Sequence, residues 1–537
     1  MKQNIRTLAA IMICGITLAA CSDKDNDDNS NIVNNPDPAT VETVRKPSLP
    51  QSCTLTITAT KGNDASLSKA LSLTNEDKTL TASWATGEKV AVYNGDTKIG
   101  ELTAQSDGET TTLSGSNLTP APSASDVLTL KFNETDYSGQ DGTLETIASK
   151  YDYATATVTV ASVSADGNIT IEETAADFKN QQAIVKFTLK SGENNVKATS
   201  LQINSYTITP KEPTNVFFVA ICLGENAEKI SLKANTESEA SYIFSKEDVK
   251  FASGKYYEVT VANMTKEIDL SKLTDEGSIE VQDNTILTGT LGGNYQILIA
   301  DGATVTLKDV TIDIDYDGED GNQTGIACNG DATIILEGEN NIVGGADRSA
   351  ISGQENKTLT IDGEGKLSAN TYDRGIATIS GSNIIINGGT ITATAVYAPG
   401  IGSGYYNTHC DNITINGGKV TAIGIGDNAP GIGSVDGVCY AISINGGTVT
   451  ATGGGDAPGI GSGPDGECDY IYIYGGTVTA TGGDNAPGIG SGDDGYCNNI
   501  YIYSDVEKVT ATKGNGYDKS ISADNVEIEE GANVTQN

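Results

Sequence analysis

The chain has 537 residues and a formal net charge of −38, from 33 Lys plus Arg against 71 Asp plus Glu. Four arginines cannot supply the clustered cations that nucleic acid or an anionic lipid surface requires, so neither is an expected electrostatic partner. Gly (62), Thr and Asn dominate, no long 3.6-residue apolar stripe follows residue 21, and His409 and Trp84 are the single histidine and tryptophan. This is an all-β composition, poor in groups for histidine-based acid–base or metal chemistry, with length for three or four domains.

The first element is an address. Lys2 and Arg6 precede an apolar run, Leu8 to Ala20, that is too short to span a bilayer and ends in Leu18-Ala19-Ala20-Cys21. Residues 1–21 resemble a bacterial lipoprotein signal peptide with its lipobox. That resemblance implies that Cys21 becomes the acylated first residue of the mature protein, with outer-membrane lipid as its partner; an ordinary signal peptide with a chance cysteine is the alternative. Residues 22–50 read as a solvated tether, opening on Ser22-Asp23-Lys24-Asp25-Asn26-Asp27-Asp28 and carrying Pro36, Pro38, Pro47 and Pro50. An acidic run straight after the lipid cysteine resembles the surface-export signal of Bacteroidota lipoproteins, which implies display on the cell exterior. A charged spacer facing the periplasm is the competing reading.

Between 51 and 265, short alternating segments recur between polar turns, among them Thr54-Leu55-Thr56-Ile57-Thr58, Lys89-Val90-Ala91-Val92-Tyr93, Val127 to Phe132, Ala183 to Leu189, Val216 to Ile221 and Tyr256 to Val261. Such alternation predicts half-buried antiparallel strands, and the length predicts two β-sandwiches, 51–170 and 171–265. Ser83-Trp84-Ala85-Thr86-Gly87-Glu88-Lys89-Val90 and Gln140-Asp141-Gly142-Thr143-Leu144-Glu145 resemble the first domain of the fimbrillin (Mfa-like) family of Bacteroidota. Asn180-Gln181-Gln182-Ala183-Ile184-Val185-Lys186-Phe187 and Gly254-Lys255-Tyr256-Tyr257 resemble its second domain. The resemblance implies transthyretin-like sandwiches, a lipoprotein, and a place in fimbriae, with other fimbrillin-like subunits as partners by strand exchange. It also makes Arg45, in the tether, a candidate for proteolytic maturation, against two cations in a linker as the alternative. The long chain beyond residue 265 departs from a stalk subunit and fits a tip or accessory adhesin.

Residues 280–537 are a repeat. Asn387-Gly388-Gly389, Asn416-Gly417-Gly418, Asn445-Gly446-Gly447 and Tyr474-Gly475-Gly476 recur every 29 residues, as do Cys410, Cys439, Cys468 and Cys497. Pro399, Pro430, Pro458 and Pro487 follow at 31, 28 and 29, so a loop changes length while the distance from Gly-Gly to Cys stays at 21. Earlier, Ile326, Ile351, Ile376 and Ile401 follow at 25 each, and Leu307, Leu336, Ile361 and Ile386 at 29, 25 and 25. Coils of 25–31 residues made of short strands predict a right-handed parallel β-helix of about eight coils and about 40 Å, whereas propeller blades need about 40–45 residues. Ile413/Ile415, Ile442/Ile444, Ile471/Ile473 and Ile500/Ile502 are expected inside, with Val420, Val449 and Val478, and Ala393, Ala422, Ala451 and Ala480, in the next strand's columns. Asn387, Asn416 and Asn445 are placed for an amide ladder. The four cysteines should stack about 4.8 Å apart with parallel Cβ directions, which suits reduced thiols better than bridges; zinc is disfavoured because the column does not converge on a point.

The Ile-Asn-Gly-Gly-Thr-Val-Thr-Ala repeats and Asp301-Gly302-Ala303-Thr304-Val305-Thr306-Leu307 resemble the carbohydrate-binding β-helix domains of bacterial surface proteins, relatives of pectate-lyase folds. The resemblance implies a glycan partner, from surface, host or diet. Alternation points Tyr472, Tyr474, Tyr501 and Tyr503 outward on adjacent coils, where four rings could make a flat platform for sugar faces or simply face solvent. Tyr397, Tyr405 and Tyr406 are weaker loop candidates. Asp427 and Asp436, Asp456 and Asp465, and Asp484 and Asp493 form an acidic loop edge whose hard oxygens suit calcium, with ordinary turn chemistry as the alternative. Between Gly375 and Asp505 the only cationic candidates are Lys419 and His409, too few for a polysaccharide lyase, and the carboxylates are spread evenly rather than paired in one cleft. The expected function is non-enzymatic adhesion through the β-helix. A purely structural assembly role and a polysaccharide-active enzyme are the alternatives.

Overall fold

A computed structural model describes residues 50–61, 72–73, 80–81, 83–222, 228–238, 240–274, 276–314, 323–345, 348–371, 377–404, 409–492 and 494–537. The lipobox Cys21, the tether with Arg45, Ile376, Tyr405, Tyr406 and Asp493 lie outside these residues.

The first unit is one eight-stranded sheet running from Cys53–Lys61 to Ala176–Asn180. Its ends meet, because Cys53–Lys61 pairs with Asn168–Ile171 and Ala176–Asn180, which in turn pairs with Ala154–Val163. Alternate residues of Cys53–Lys61 point inward, and Leu55, Leu102, Leu128 and Leu130 have no exposed surface. Trp84 sits at the centre, edge-on to Phe132 at 5.4 Å and Phe178 at 5.2 Å. Phe178 and Ala176 therefore belong to this core, and the boundary falls beyond Asn180 rather than at 170. The reason is that Ala176–Asn180 completes the ring of hydrogen bonds that Cys53–Lys61 would otherwise present as an edge.

The second unit has two facing sheets. Ala183–Ser191 lies between Val216–Ile221 and Tyr256–Val261. Opposite are Ser200–Ile203, Tyr206–Ile208, Glu228–Asn235, Ala240–Val249 and Thr265–Asp269. Phe187, Leu189, Phe217, Val219, Leu201, Ile203 and Leu232 fill the space between them. Most strand pairs in both units are antiparallel, as expected, and a few are parallel. Cys53–Lys61 pairs in parallel with Ala176–Asn180 and Asn168–Ile171, and Ala183–Ser191 with Tyr256–Val261. The chain between these partners is long enough for the crossover that a parallel pair demands.

The motif beginning at Gln140 clasps the two units. The Gln140 amide donates to the carbonyls of Tyr137 (3.0 Å) and Ala220 (2.9 Å), and its oxygen accepts from the Ala220 N–H (2.8 Å). Phe218 N–H donates to Gly142 C=O at 2.9 Å, and Thr143 caps the helix Leu144–Lys150. A buried glutamine that mimics a strand rung explains why this stretch is polar yet 2% exposed at Gln140.

Thr265–Asp269 then serves two structures at once, antiparallel to Ala240–Val249 and parallel to Thr285–Leu291, the first rung of a parallel β-solenoid. Each coil contributes one strand to each of three ladders. The first ladder's inner columns run Ala303, Ala332, Leu359, Ile384, Ile413, Ile442, Ile471, Ile500 and Val305, Ile334, Ile361, Ile386, Ile415, Ile444, Ile473, Ile502. The second carries Ala369, Ala393, Ala422, Ala451, Ala480 and Ala511 in one column. The third has ten strands, each carrying one isoleucine of a column that runs from Ile279 to Ile521. Ten rungs at about 4.8 Å give about 43 Å.

Two early columns differ from the spacing-based reading. Leu336 pairs with Leu307 and Gly363, while Ile361 and Ile386 continue from Ile334, so the 29-25-25 series crosses two inward positions of one strand. In the third ladder Ile379, not Ile376, follows Ile351, at intervals of 28 and 22 that share out the same slack. In the regular coils the isoleucines Ile401, Ile432, Ile460 and Ile489 stay paired despite intervals of 31, 28 and 29. The variable loop absorbs the difference, as stacking requires.

Candidate functional site

The amide ladder is present at the turn between the first and second ladders. Asn416 Nδ2 donates to Asn387 Oδ1 at 2.8 Å and Asn445 Nδ2 to Asn416 Oδ1 at 2.7 Å. The following Gly-Gly turns make this stacking possible, since Gly418, Gly447 and Gly476 hold φ of 77–80°. Further along, the same turn position is Tyr474 and then Tyr503, whose rings stack at 4.5 Å. An amide column thus passes into an aromatic one.

Beside it, the outward column Thr414, Ser443 becomes Tyr472, Tyr501, and the column Asn412, Ala441 becomes Tyr470. These residues face out because Ile471, Ile473, Ile500 and Ile502 alternate inward with at most 1% exposure. Tyr472 lies 5.6 Å from Tyr470, 5.7 Å from Tyr474 and 5.4 Å from Tyr501, with ring planes within 16° of parallel. The five tyrosines form one cluster, but not the flat platform expected. Side-by-side coplanar rings need wider spacing than these centroids allow, so the rings overlap as shingles and offer edges, hydroxyls and some of each face. Partial burial and the neighbouring phenols hold the Tyr472 hydroxyl above the usual tyrosine range, and Tyr503 is shifted the same way. Tyr474 is the most open of the five, at 40%. Tyr470 was missed from sequence, although the alternation Tyr470-Ile471-Tyr472-Ile473-Tyr474 places it on the same face. Tyr397 is an exposed loop residue with no aromatic partner among the described contacts.

The acidic loops do not converge. Asp456 precedes its Ala-Pro by one residue where Asp427 and Asp484 precede theirs by two, so the 28-residue spacing aligns Asp456 with an amide instead. Asn485 Nδ2 donates to Asp456 Oδ1 at 2.7 Å, which spends that carboxylate on a polar ladder. Asp436 and Asp465 share a column with Asp494, by their equal distance from the cysteines. Asp436 Oδ1 is buried without a hydrogen-bond partner among the described residues, whereas Asp465 and Asp494 are exposed. Among the described residues no three His, Cys, Asp or Glu side chains come together as a metal site. The rungs displace successive described carboxylates along a line, and Asp493, the remaining member of the expected calcium edge, lies outside the described residues.

Cys410, Cys439, Cys468 and Cys497 pair rung by rung and are buried free thiols. Hydrogen bonding to the adjacent thiol and burial hold Cys439 and Cys468 well above the ordinary thiol value. They act as small apolar fillers of the first-ladder corner.

A family model described as a beta helix repeat matches residues 384–405, 413–437, 442–464 and 471–493, the regular coils that carry these ladders. No curated protein matches the sequence. Among solved structures, the chain is similar to a protein provisionally assigned to cell adhesion from Bacteroides uniformis, 12% identical over 40% of this chain and 95% of that one, at a TM-score of 0.23. It is similar to a fimbrial assembly protein from Parabacteroides distasonis, 11% identical over 40% and 93%, at 0.21. A third, provisionally assigned to cell adhesion from Bacteroides ovatus, is 15% identical over 36% and 91%, at 0.21. Scores this low carry no argument about what this chain does.

Proposed function

We propose that the protein is a non-enzymatic surface adhesin, held at the outer membrane through Cys21 and binding carbohydrate through its solenoid. The observation that carries the reading is the tyrosine cluster: five nearly parallel rings on the outward side of two adjacent coils, where the preceding coils carry Asn, Thr, Ser and Ala. Stacked phenols on a stiff ladder supply apolar ring surface beside hydroxyl groups, the mix that sugar faces and their hydroxyls require. Their shingled arrangement fits a chain of sugar units laid across the rings better than one residue held flat. Affinity per site is expected to be low and raised by display of many copies.

Glycan-array binding by the whole chain tests the proposal. Tyr472→Ala with Tyr501→Ala should abolish binding while leaving the far-UV circular dichroism spectrum unchanged; retained binding removes the tyrosines from the account. A second reading, a structural component of a surface assembly, is favoured by the strand Thr265–Asp269, which joins the second unit to the solenoid without a linker. Loss of surface filaments rather than of glycan binding on deletion would select it. The enzymatic alternative is weakened by the inventory of the regular coils, and release of oligosaccharides from acidic polysaccharide by the purified chain would revive it.

A further inference from the structure

The core of the first unit holds a cluster that neither packing nor adhesion uses. Lys61, the last residue of the strand Cys53–Lys61, is 6% exposed, and its Nζ lies 3.7 Å from both Asp152 Oδ2 and Glu88 Oε2. The same nitrogen sits 4.1 Å from the centre of the Phe132 ring and 4.4 Å from that of Trp84, and it makes no hydrogen bond among the described residues. Asp152 is 2% exposed and follows the helix Leu144–Lys150. As a salt bridge this arrangement is poor. Buried ion pairs close to about 2.7–2.9 Å and satisfy their remaining protons and lone pairs, whereas here one amine faces two carboxyl groups at longer range inside an aromatic wall. As a reacting pair it is better arranged: an amine nitrogen held 3.7 Å from an oxygen of a buried carboxyl group, with a second carboxylate in reach of the same amine.

We propose that Lys61 and Asp152 condense into an intramolecular amide, with Glu88 carrying the protons. Glu88 takes a proton from the Lys61 ammonium, and the freed Nζ lone pair attacks Cγ of the protonated Asp152 carboxyl group. The C–O bond to the hydroxyl then breaks as Glu88 returns that proton to the departing hydroxyl, and Glu88 next takes the second proton from Nζ and releases it to solvent. One C–N bond forms and one water leaves; no oxidant or activating cofactor is needed. Burial is the main reason the Asp152 carboxyl is pushed up to about 7, helped by the Glu88 charge and opposed by Lys61, so a large share of it is protonated near neutrality. Gln182 Nε2 already approaches Asp152 Oδ1 at 3.5 Å and would steady the oxygen that becomes the amide carbonyl. Glu88 Oε2 is itself positioned by the N–H of Ala85 at 3.0 Å. The bond ties the first strand to the segment leading into Ala154–Val163. A pull applied at the two ends of the chain would then pass from Lys61 to Asp152 and bypass the strands between them.

Peptide mapping of the full chain, purified under reducing conditions, decides the matter. The expected result is a branched peptide joining the Lys61 and Asp152 segments, lighter than their sum by one water, with trypsin unable to cut after Lys61. Recovery of the two segments only as separate peptides from folded wild-type protein overturns the proposal. Glu88→Gln should fold with a wild-type far-UV spectrum and yield the separate peptides. A branched peptide at wild-type level in that variant would remove Glu88 from the mechanism. Asp152→Ala supplies the unlinked reference.

Discussion

In the third ladder each regular coil places a glycine directly after its isoleucine, and Gly402, Gly433, Gly461 and Gly490 hold φ between 130 and 138°. A methyl carbon on Gly461 would stand 1.8 Å from the carbonyl oxygen of Gly490 in the next coil. A carbon–oxygen contact needs about 3.3 Å, so Gly461→Ala must push adjacent coils about 1.5 Å further from each other on a rung of about 4.8 Å. That opening strains the bonds from Ile460 N–H to Gly488 C=O at 3.1 Å and from Gly492 N–H to Ser462 C=O at 3.0 Å. Two backbone bonds at about 1 kcal/mol each, with about 1–3 kcal/mol for a side chain at this φ, put the cost at about 3–5 kcal/mol. Because coils contact chiefly their neighbours, the loss should be local. Hydrogen exchange should quicken from residue 460 to the C-terminus while the two N-terminal units keep their protection, and the urea transition of the solenoid should move to lower concentration. Unchanged exchange and an unchanged transition would refute the claim that this rung depends on a missing side chain.

Three further outcomes are expected. Gln140→Ala leaves the Ala220 N–H and C=O unpaired in a buried seam, so the two N-terminal units should uncouple at a cost of about 3 kcal/mol, seen as separate transitions in calorimetry; a single unshifted transition contradicts the clasp. Cys439 and Cys468 are shifted upward in the folded state, so the folded chain keeps them neutral where the unfolded chain ionises; their contribution is intact below the ordinary thiol value of 9.0 and is lost as pH rises past it. Urea midpoints between about pH 8 and 10 should fall, and Cys439→Ala with Cys468→Ala should flatten that slope; an equal slope in the double variant counts against it. Tyr472 touches three other rings, so Tyr472→Ala should remove most of the near-UV circular dichroism of the cluster while changing stability by less than about 1 kcal/mol, and an unaltered near-UV spectrum would mean the rings do not stack in solution.

Much of the solenoid was legible because stacking in register writes itself into sequence as a fixed interval. Ile413, Ile442, Ile471 and Ile500 can be aligned by counting, and so can the cysteines and the asparagines of the turn. Legibility failed where the loops differ in length. Nothing in a 25-residue spacing distinguishes Ile376 from Ile379, and only the hydrogen-bonded partner of Ile351 decides between them. The same shift hid the pairing of Asp456 with Asn485 behind an apparent row of carboxylates. In the first unit, Ala176–Asn180 reads as the start of a new domain because its parallel partner, Cys53–Lys61, is far away in sequence. The cluster of Lys61, Glu88 and Asp152 was invisible for a similar reason: its members are dispersed along the chain, and each looks like an ordinary surface charge until the sheet closes around them.

The strand Thr265–Asp269 has a practical corollary. Because it is the last strand of one architecture and pairs directly with the first rung of the other, there is no joint at which the coils can swivel, and the direction in which the tyrosines look is set by the orientation of the facing sheets behind them. Removing the coils with a cut after residue 269 would strip Thr285–Leu291 of its covering neighbour and leave a row of raw amides open to self-association. Fragments meant to stay monodisperse should therefore begin upstream of Ala183, carrying the whole second unit as a lid.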